Sequence, residues 1–551
     1  MRSAARHFLM VLGVIVTVST GLVTAQSITS KDILDGLSNG ARWLTHSGDY
    51  TGQRHSPLTQ ITPANVGQLV AQWAFQTSVL GKFEATPIVI DGTLYVTGAD
   101  NNAWAIDGKT GRQLWRYQRA LPPQGLRVCC GRVNRGFAVL GDQLYMSTLD
   151  AHLVSLDRAT GKVIWDMTIA DYTQGYASTG APLIVKDKVI IGIAGGEFAV
   201  RGFIDAYDAK SGERRWRFWT IPARGEKGSE TWPDDVWERG GGPTWQIGSY
   251  DPQLNTVYWG TGNPSPDLNG ANRRGDNLFT GSLVALDADT GALKWHFQFT
   301  PHDEHDWDSN HIPVLADLTI GGAARKVVMV ANRNGFFYVL DRTDGAFILG
   351  KPYMKLTWAS GLDANGRPIE IENQRPTSAG TLTCPELYGG TNFNPPSFSP
   401  ATGLFYVSAR ETCAVYISSD PPAGYKSGDL VMGGTLRRPD PGTGALRAID
   451  PVTGEWKWEL KHPTPPWAGV LSTASGVVFS GTNEGHAIAA DAKTGAELWR
   501  YPTGASIFAP PTTYMIDGRQ YVVIPSGTTL TAFALPAAPK LSGSEAGKTK
   551  P

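Results

Sequence analysis

A motif that recurs seven times limits this 551-residue chain to a repetitive fold. The motif is Ala-x-Asp-x-x-x-Gly-x-x-x-Trp, and its copies begin at Ala105, Ser155, Ala206, Ala285, Val339, Ala448 and Ala489. The copy at Val339 ends on Leu349 in place of Trp. Asp and Gly in this spacing mark a turn, because Asp caps its own backbone and Gly adopts positive φ. Each copy follows an alternating apolar segment, so the motif predicts a strand–turn–strand hairpin whose Trp docks on the next hairpin.

Repetition of one small sheet unit predicts an all-β, eight-bladed β-propeller with Trp-docking motifs. Seven copies account for seven blades, and the ends of the chain supply the eighth. Residues 65–73 resemble the second half of a motif, and residues 530–535 resemble a terminal strand. Pairing them in one blade would close the ring and remove its sheet edges. We therefore expect a single propeller domain over residues 26–535.

The two ends of the chain carry other signals. Arg2 and Arg6 precede an apolar run that ends before Gln26, which predicts a cleaved signal peptide over residues 1–25 and a periplasmic protein. The alternative, a membrane anchor, needs about 20 apolar residues, and this run has about 16. No later segment is apolar enough to span a membrane, and the small, polar tail of residues 536–551 predicts disorder. A net charge of −1 gives no sign of the clustered basic excess that a nucleic-acid-binding surface needs, so no nucleic-acid partner is expected.

The chain has four cysteines, and an exported chain is expected to pair them. Cys129 and Cys130 are adjacent, and their Cα separation of about 3.8 Å is shorter than in most disulfides. A bridge between them is strained and persists only where its surroundings enforce it. Two free thiols, or bridges from this pair to Cys384 and Cys413, are the alternatives. None of the cysteines lies in the Cys-x-x-Cys-His motif that attaches a c-type haem.

Acidic and amide side chains predict a site for a hard cation. Glu197 follows a glycine-rich stretch, and Asn263 lies in the turn Thr-Gly-Asn-Pro. Asp306 and Asp308 are two residues apart, so on an extended strand they would face the same way. Two such acids repel each other unless a cation lies between them. Carboxylate and amide oxygens are the ligands that a Ca²⁺-like ion prefers.

Together, the Trp-docking repeats, the Cys129–Cys130 pair, the turn around Asn263 and the acidic segment that ends at Asp308 resemble one family. This family is the pyrroloquinoline quinone (PQQ)-dependent alcohol dehydrogenases of the methanol and ethanol dehydrogenase group. The resemblance runs from about residue 43 to residue 535. It implies oxidation of a small alcohol to an aldehyde, with hydride transfer to C5 of PQQ and electrons passed to a periplasmic cytochrome c. It leaves a homodimer open.

The resemblance also implies how the cofactor is held. A Cys129–Cys130 bridge would lie against one face of PQQ and Trp245 against the other, while Cys384–Cys413 would be a structural bridge. Arg135 would bind a PQQ carboxylate, although alone it suggests an ordinary surface salt bridge. The other cofactor-contacting positions that the resemblance implies are Glu84, Thr179, Gly195, Gly196, Arg333, Asn392 and Trp467.

For the metal, the resemblance implies ligation by Glu197, Asn263 and Asp306. Asp308 is an additional acid that resembles the lanthanide-dependent members, and a trivalent ion needs one more negative ligand than Ca²⁺. We therefore expect a lanthanide of the La³⁺ or Ce³⁺ type rather than Ca²⁺, acting as a Lewis acid. Asp306 is expected to be the general base, and Arg333 to stabilise charge on the quinone oxygens. A non-catalytic, protein-binding propeller and a Ca²⁺-dependent sugar or polyol dehydrogenase are the alternative functions.

Overall fold

The structure, a computed structural model, describes residues 27–233 and 236–537. The predicted signal peptide and all but the first two residues of the predicted tail lie outside these ranges. Among the residues described, no helix is long and apolar enough to cross a bilayer.

Strands dominate the described chain, and most of them form eight sheets of four or five strands. Sheets 1 to 4 contain, in turn, Ile88–Ile90, Thr93–Thr97, Asn102–Asp107 and Gln113–Gln118; Ala138–Leu140, Gln143–Ser147, His152–Asp157 and Val163–Thr168; Leu183–Val185, Lys188–Gly192, Phe203–Asp208 and Arg214–Trp219; and Ser249–Asp251, Thr256–Gly260, Ser282–Asp287 and Leu293–Gln298. Sheets 5 to 8 contain Val314–Ile320, Ala323–Ala331, Phe336–Asp341 and Phe347–Pro352; Ser397–Ser399, Leu404–Glu411, Thr443–Ile449 and Trp456–His462; Leu471–Thr473, Val477–Gly481, His486–Asp491, Glu497–Pro502 and the added strand His55–Ser56; and Thr512–Ile516, Arg519–Ser526, Thr529–Ala534 and Val70–Gln76.

The remaining elements are short. Two small sheets pair Ala359–Leu362 with Pro368–Glu370, and Ala414–Ser418 with both Thr381–Thr383 and Gly434–Arg437. The described part of the chain has one α-helix, Ser30–Asp35. Its 3₁₀-helices are Gly36–Ser38, Val66–Gln68, Tyr172–Gln174, Gly196–Phe198, Ser229–Thr231 and Trp237–Arg239. The expected all-β class is therefore confirmed.

The repeated motif forms the hairpin between the third and fourth strands of a sheet. In sheet 1, Asp107 ends the third strand, and its Oδ1 accepts hydrogen bonds from the backbone N–H of Lys109 at 3.0 Å and of Thr110 at 2.9 Å. Gly111 has φ +74°, a conformation that side chains other than glycine rarely adopt. The turn that was predicted from Asp and Gly is thus formed by the backbone contacts that these residues favour.

The Trp residues of the motif dock on the next sheet. Trp458 packs against Gly495, where a Cβ atom would lie only 2.5 Å from the Trp458 ring. The indole Nε1 of Trp458 also donates a hydrogen bond to the Ala492 carbonyl oxygen at 3.1 Å. At the degenerate copy, Gly454 faces Lys351 and Leu349 instead of an indole. At Trp458 the docking therefore combines apolar burial with one hydrogen bond between successive sheets. Trp295 packs on Gly345 in the same way, but its Nε1 has no hydrogen-bond partner among the described residues.

The sheets have an inner and an outer edge. First strands such as Ile88–Ile90 are fully buried, whereas fourth strands such as Gln113–Gln118 are mostly exposed or half-buried. First strands of successive sheets also contact each other, as Ala138–Leu140 and Leu183–Val185 do. The sheets therefore pack side by side through their buried first strands.

The two ends of the described chain meet in sheet 8. Val70–Gln76 pairs antiparallel with Thr529–Ala534, which confirms the expected joining of both ends in one sheet. A second contact ties the N-terminal region to sheet 7, where His55–Ser56 pairs in parallel with Leu471–Thr473. These pairings hold an early and a late part of the sequence together, and Val70–Gln76 supplies the fourth strand of sheet 8.

Successive strands of an antiparallel meander run in opposite directions. The second and fourth strands therefore both finish at the same end of the sheet. The loops after these strands therefore open at one end of every sheet. The long insertions are all loops of this kind: the described parts of residues 220–248 (220–233 and 236–248), and residues 261–281, 353–396 and 412–442. The predicted site residues lie in such loops, which is why distant parts of the chain can meet there.

Candidate active site

A cavity of about 380 Å³ lies where these loops meet. Most residues that the sequence pointed to are in its wall: Glu84, Cys129, Cys130, Arg135, Thr179, Gly195, Glu197, Trp245, Asp306, Asp308, Arg333, Asn392 and Trp467. Two predicted residues, Gly196 and Asn263, are not in the wall itself. They lie directly behind it, because the Asn263 backbone N–H contacts Asp308 and a Cβ on Gly196 would contact Asn263.

Two flat groups face this cavity. Cys129 and Cys130 form a disulfide and are exposed in the cavity wall, as is part of the Trp245 ring. The second bond joins Cys384 and Cys413, so all four cysteines of the sequence are paired as the family resemblance implied. The alternative connectivities are excluded. The cavity thus offers an apolar disulfide ring and an indole as candidate surfaces for a planar molecule.

Arg135 is a buried cation of this wall rather than part of a surface salt bridge. It is 6% exposed, and its Nη2 lies 2.7 Å from Oε2 of Glu84. Its Nη1 donates a hydrogen bond to Oγ1 of Thr179 at 2.7 Å, and its guanidinium lies 4.7 Å from the centre of the Trp245 ring. Burial lowers the pKa of Arg135, and the Glu84 carboxylate opposes that effect. A second cation, Lys82, lies 2.8 Å from Oε1 of Glu84.

Arg333 connects the acidic segment to the rest of the wall. Its Nη2 lies 3.1 Å from Oδ2 of Asp308, and its Nη1 donates to the Asp306 carbonyl oxygen at 3.0 Å. The same guanidinium reaches Oδ1 of Asn392 at 3.3 Å. Gly389 lies against this arginine, and a Cβ there would be 2.5 Å from the Arg333 Cβ. The close packing fixes where the guanidinium points.

The two aspartates share the cavity for a reason other than the predicted one. They lie in an irregular segment rather than on an extended strand, and Asp306 has φ +60°. The carboxylate of the buried Asp303 accepts hydrogen bonds from the backbone N–H of His305 at 2.9 Å and of Trp307 at 2.7 Å. These bonds pin the turn on both sides of Asp306. A local side-chain to backbone contact, not strand alternation, turns Asp306 and Asp308 to the same cavity.

The surroundings of the site destabilise the charged forms of its carboxyl groups. Burial, and then the Asp308 carboxylate, raises the pKa of Glu197 to about 7. Burial and Asp308 also raise the pKa of Asp306 well above its ordinary value. These shifts arise because the charged forms are desolvated and repel one another. A multivalent cation among them would reverse both effects.

Three hydrogen bonds fix Asn263, one through its backbone N–H and two through its side-chain NH₂ group. Its backbone N–H donates to Oδ1 of Asp308 at 2.8 Å, and its Nδ2 donates to Oδ1 of Asp267 at 2.8 Å and to the Pro264 carbonyl oxygen at 3.2 Å. Within the described residues, its Oδ1 is buried without a hydrogen-bond partner. Gly262 makes the approach feasible, because a Cβ there would lie 2.2 Å from Oδ1 of Asp308.

Sequence reasoning missed several residues of the site. Lys82, Tyr388 and Phe393 line the cavity, and Asp267 is a fully buried acid beside Asn263. Asp267 had a readable signal, since it closes the Thr-Gly-Asn-Pro-Ser-Pro-Asp segment only four residues after Asn263. Tyr388 and Phe393 had none, because an aromatic residue in a long insertion has no pattern that places it at a cavity.

The chain matches a known family over most of its length. The family described as PQQ, "Glucose/ethanol/alcohol dehydrogenase, beta-propeller domain", matches residues 43–351 and 460–522. The quinoprotein alcohol dehydrogenase PedH of Pseudomonas putida is 40% identical over 531 residues, covering 91% of this chain and 88% of that protein. The lanthanide-dependent methanol dehydrogenase of Methylacidiphilum fumariolicum is 37% identical over 540 residues, covering 92% and 88%.

Solved structures give the same relationship. The crystal structure of the quinohemoprotein alcohol dehydrogenase from Comamonas testosteroni has a TM-score of 0.87 and 36% identity, covering 93% of this chain and 83% of that one. A europium-containing methanol dehydrogenase has a TM-score of 0.88 and 33% identity, covering 92% of this chain and 100% of that one.

Proposed function

The chain belongs to the PQQ-dependent alcohol dehydrogenases, β-propeller oxidoreductases, and from that premise we propose that it oxidises a small alcohol to an aldehyde with PQQ and a lanthanide ion. One observation carries the proposal: Glu197, Asp306, Asp308 and Arg333 line one cavity together with a vicinal disulfide and Trp245. The alternative of a non-catalytic binding propeller explains neither the disulfide nor the buried acids, and family membership removes it.

The donor set fits a hard metal ion. Among the residues described, Oδ1 of Asn263 and Oδ1 of Asp306 are buried without hydrogen-bond partners. Glu197 lies half-buried in the same cavity wall, and burial is the largest cause that raises the pKa of its carboxyl. Leaving such oxygens unpaired is costly unless an ion or another donor satisfies them. Glu197, Asn263, Asp306 and Asp308 are therefore the proposed ligands.

Three anionic ligands favour a trivalent ion. Glu197, Asp306 and Asp308 contribute three negative charges, which exceed the charge of Ca²⁺ and equal that of a lanthanide. Arg333 offsets part of the charge of Asp308, at an Nη2 to Oδ2 distance of 3.1 Å. The lanthanide is proposed on this charge balance, and Ca²⁺ remains the competing metal to test.

The cavity also fits a planar tricarboxylate such as PQQ. The Cys129–Cys130 ring and Trp245 supply flat apolar contacts, and Arg135 supplies a buried cation beside Glu84 and Thr179. Gly195, Gly196, Asn392 and Trp467 complete the proposed cofactor positions, with Arg333. When bound, PQQ is the two-electron oxidant, and the metal ion is the Lewis acid that polarises it.

The side chains of this site have separate proposed roles in the oxidation of the alcohol. Asp306 is the proposed general base: its carboxylate lines the cavity, so the oxygen that does not bind the metal can take the alcohol hydroxyl proton. Arg333 holds the backbone of Asp306 at 3.0 Å and places a positive charge where negative charge develops. Trp245, Phe393 and Trp467 line the same cavity and place apolar surface beside the reacting groups.

The broader organisation is proposed from the same premise. The eight main sheets correspond to eight propeller blades, with the two ends of the domain in the last one. All four cysteines of the sequence are in disulfides, so none of them is available to attach a c-type haem. The proposed electron acceptor is therefore a separate protein, a periplasmic cytochrome c. Location in the periplasm, after cleavage of residues 1–25, is supported by the charged and apolar N-terminal pattern and by these disulfides.

A dye-linked alcohol oxidation assay tests the proposal. Purified protein is reconstituted with PQQ and either La³⁺ or Ca²⁺, and rates are measured over primary alcohols, sugars and polyols. The proposal predicts PQQ- and La³⁺-dependent oxidation of an alcohol, with lower rates in Ca²⁺. Activity in Ca²⁺ alone on a sugar or polyol would favour the competing dehydrogenase function. Absence of PQQ binding in the visible absorbance spectrum would contradict the quinoprotein function itself.

A further inference from the structure

Asp267 is a fourth carboxylate at the proposed metal site, and none of the functional assignments above uses it. Its side chain is fully buried in the segment that follows Asn263. Burial, and then the Glu197 and Asp308 carboxylates, raises its pKa well above the ordinary value. An acid in such surroundings is destabilising by itself, so its presence calls for a partner or a task.

The segment that carries Asp267 is rigidly braced. Arg273 is fully buried, and its Nε and Nη2 donate hydrogen bonds to the Pro266 carbonyl oxygen at 3.1 and 2.9 Å. On the other side of Asp267, the Leu268 backbone N–H donates to the Met432 carbonyl oxygen at 2.8 Å. Both neighbours of Asp267 are thus fixed, Pro266 by the nearby Arg273 and Leu268 by Met432, which is distant in sequence, so the carboxylate cannot easily move away.

The contact between Asp267 and Asn263 decides which end of the amide faces the acids. A carboxylate accepts hydrogen bonds and does not donate them, so it selects the NH₂ end of the amide. The observed bonds agree, because Nδ2 of Asn263 donates both to Asp267 and to the Pro264 carbonyl oxygen. Oδ1 is therefore turned away from Asp267. Oδ1 of Asn263 faces Gly196, where a Cβ atom would lie 3.3 Å from it. Gly196 directly precedes the proposed ligand Glu197 in the sequence.

We infer that Asp267 is a positioning residue of the metal site: it holds the Asn263 amide so that Oδ1 is presented to the ion. The inference rests on the proposed function, since it assigns a task at the same site. Partners that orient metal ligands from behind commonly change metal affinity by about 10- to 100-fold when removed. The same scale is expected here for removal of the carboxylate.

The experiment uses Eu³⁺ as the probe on the PQQ-loaded full chain. Eu³⁺ titration measures affinity, and its luminescence lifetimes in H₂O and D₂O report how many water molecules bind the ion directly. Asp267→Ala removes the anchor of Asn263 and should weaken Eu³⁺ binding by about 10- to 100-fold. It should also add an ion-bound water, because a free amide no longer keeps Oδ1 on the metal.

Two further variants separate orientation from charge. Asp267→Asn keeps a side-chain oxygen that can accept from Nδ2 of Asn263, so the number of ion-bound waters should stay at the wild-type value while affinity falls less than in Asp267→Ala. In the Asn263→Ala background, Asp267→Ala should add no further water, because the ligand that it positions is already absent. Asp276→Ala, at an acid paired with Arg367 outside the cavity wall, is the matched control and should bind Eu³⁺ as the wild type does.

The outcomes are distinguishable. If the wild type binds Eu³⁺ and PQQ but Asp267→Ala leaves both affinity and hydration unchanged, the inference is wrong and the proposed function stands. A water gained on Asp267→Ala even without the Asn263 side chain would make Asp267 a ligand and would also overturn a positioning role. Wild-type protein that binds neither Eu³⁺ nor PQQ overturns the proposed function and the inference together. Asp267→Ser repeats the truncation with a polar side chain, in case Asp267→Ala does not fold.

Discussion

The indole Nε1 of Trp245 donates a hydrogen bond to Oδ2 of Asp308 at 2.9 Å. The acid that distinguishes the proposed lanthanide site therefore also holds one flat wall of the cavity. Because Oδ1 of Asp308 accepts from the Asn263 backbone N–H, both carboxylate oxygens have structural contacts in addition to a role toward the metal. Substitution of Asp308 consequently tests the metal and the cofactor wall at once, and the measurements have to separate them.

Replacing Asp308 should discriminate between metals. Asp308→Asn preserves size and one acceptor oxygen but removes a negative charge, so La³⁺ affinity should fall by about 10- to 100-fold and Ca²⁺ affinity by less. The check is metal titration with PQQ affinity measured in parallel, since the Trp245 contact is weakened in either metal. Equal losses for La³⁺ and Ca²⁺ would show that Asp308 acts only on the wall.

Replacing Asp306 should abolish most turnover without unfolding the protein. Asp306→Asn cannot take the hydroxyl proton, and loss of a general base usually lowers kcat by about 10²–10⁴-fold. Single-turnover rates at confirmed PQQ and metal occupancy are the measurement, because Asp306 is also a proposed ligand. Asp142→Asn, at an acid paired with Arg158 outside the cavity wall, is the control. Near-normal rates in Asp306→Asn with full occupancy would assign the proton to another group.

The two disulfides should differ in what they stabilise. Replacing both Cys129 and Cys130 with Ser removes a cavity contact and should weaken PQQ binding by about tenfold, which is about 1.4 kcal/mol. Replacing Cys384 and Cys413 opens a loop with a sequence separation of 29 and should lower the free energy of unfolding by about 2–4 kcal/mol. PQQ titration and urea denaturation of both double variants make the comparison. The opposite pattern would contradict the cofactor role of Cys129–Cys130.

The Trp docking should contribute strongly to stability. Trp458→Ala removes an indole that is 8% exposed, packs on Gly495 and donates to Ala492, so the free energy of unfolding should fall by about 3–5 kcal/mol. Trp456→Ala is a matched control on the same strand, because its side chain is 41% exposed. Denaturant midpoints of the two variants measure the difference. Similar losses in both would contradict the docking argument.

Acid destabilisation should depend partly on His55. Burial lowers the pKa of His55 from its ordinary value near 6.5 to about 4, and its Nδ1 lies 2.8 Å from Oγ of Ser472. Above pH 6.5 the imidazole is neutral in both states, so this contribution to stability is fully present. As the pH falls toward 4, His55 binds a proton in the unfolded chain but not in the folded chain. The free energy of unfolding therefore falls, by up to about 3 kcal/mol.

His55→Gln removes this titration and should make the decline between pH 6.5 and 4 shallower, although other buried histidines keep part of it. Urea denaturation of wild type and variant at several pH values provides the test. Parallel stability profiles over that range would show that His55 does not contribute.

The repeats predicted much of the fold because their signals are local. An Asp that caps its own turn and a Gly at positive φ need only neighbouring residues, as Asp107 and Gly111 illustrate. The adjacent Cys129 and Cys130 and the acids of the site were also visible, because unusual residue types at short spacing narrow the available chemistry. The family resemblance then joined these short signals into one proposed site, and most of these residues line one cavity.

Other features depended on contacts that no short pattern encodes. The turn at Asp306 is made by Asp303, whose carboxylate captures two backbone N–H groups, and the strand prediction failed there because side-chain competition for the backbone overrode alternation. Phe393 and Tyr388 reach the cavity only because a long insertion folds back over it.

By itself, the sequence determined the all-β class, the repeated hairpins, the pairing of the chain's ends and the residue types of the site. Only the tertiary structure decided that Asp267 faces Asn263, that Arg135 is buried against Glu84 and that Asp308 holds Trp245. The physical reason is range: turn and strand preferences act between neighbours along the chain, whereas burial and ion pairing depend on which distant loops meet at one end of the sheets.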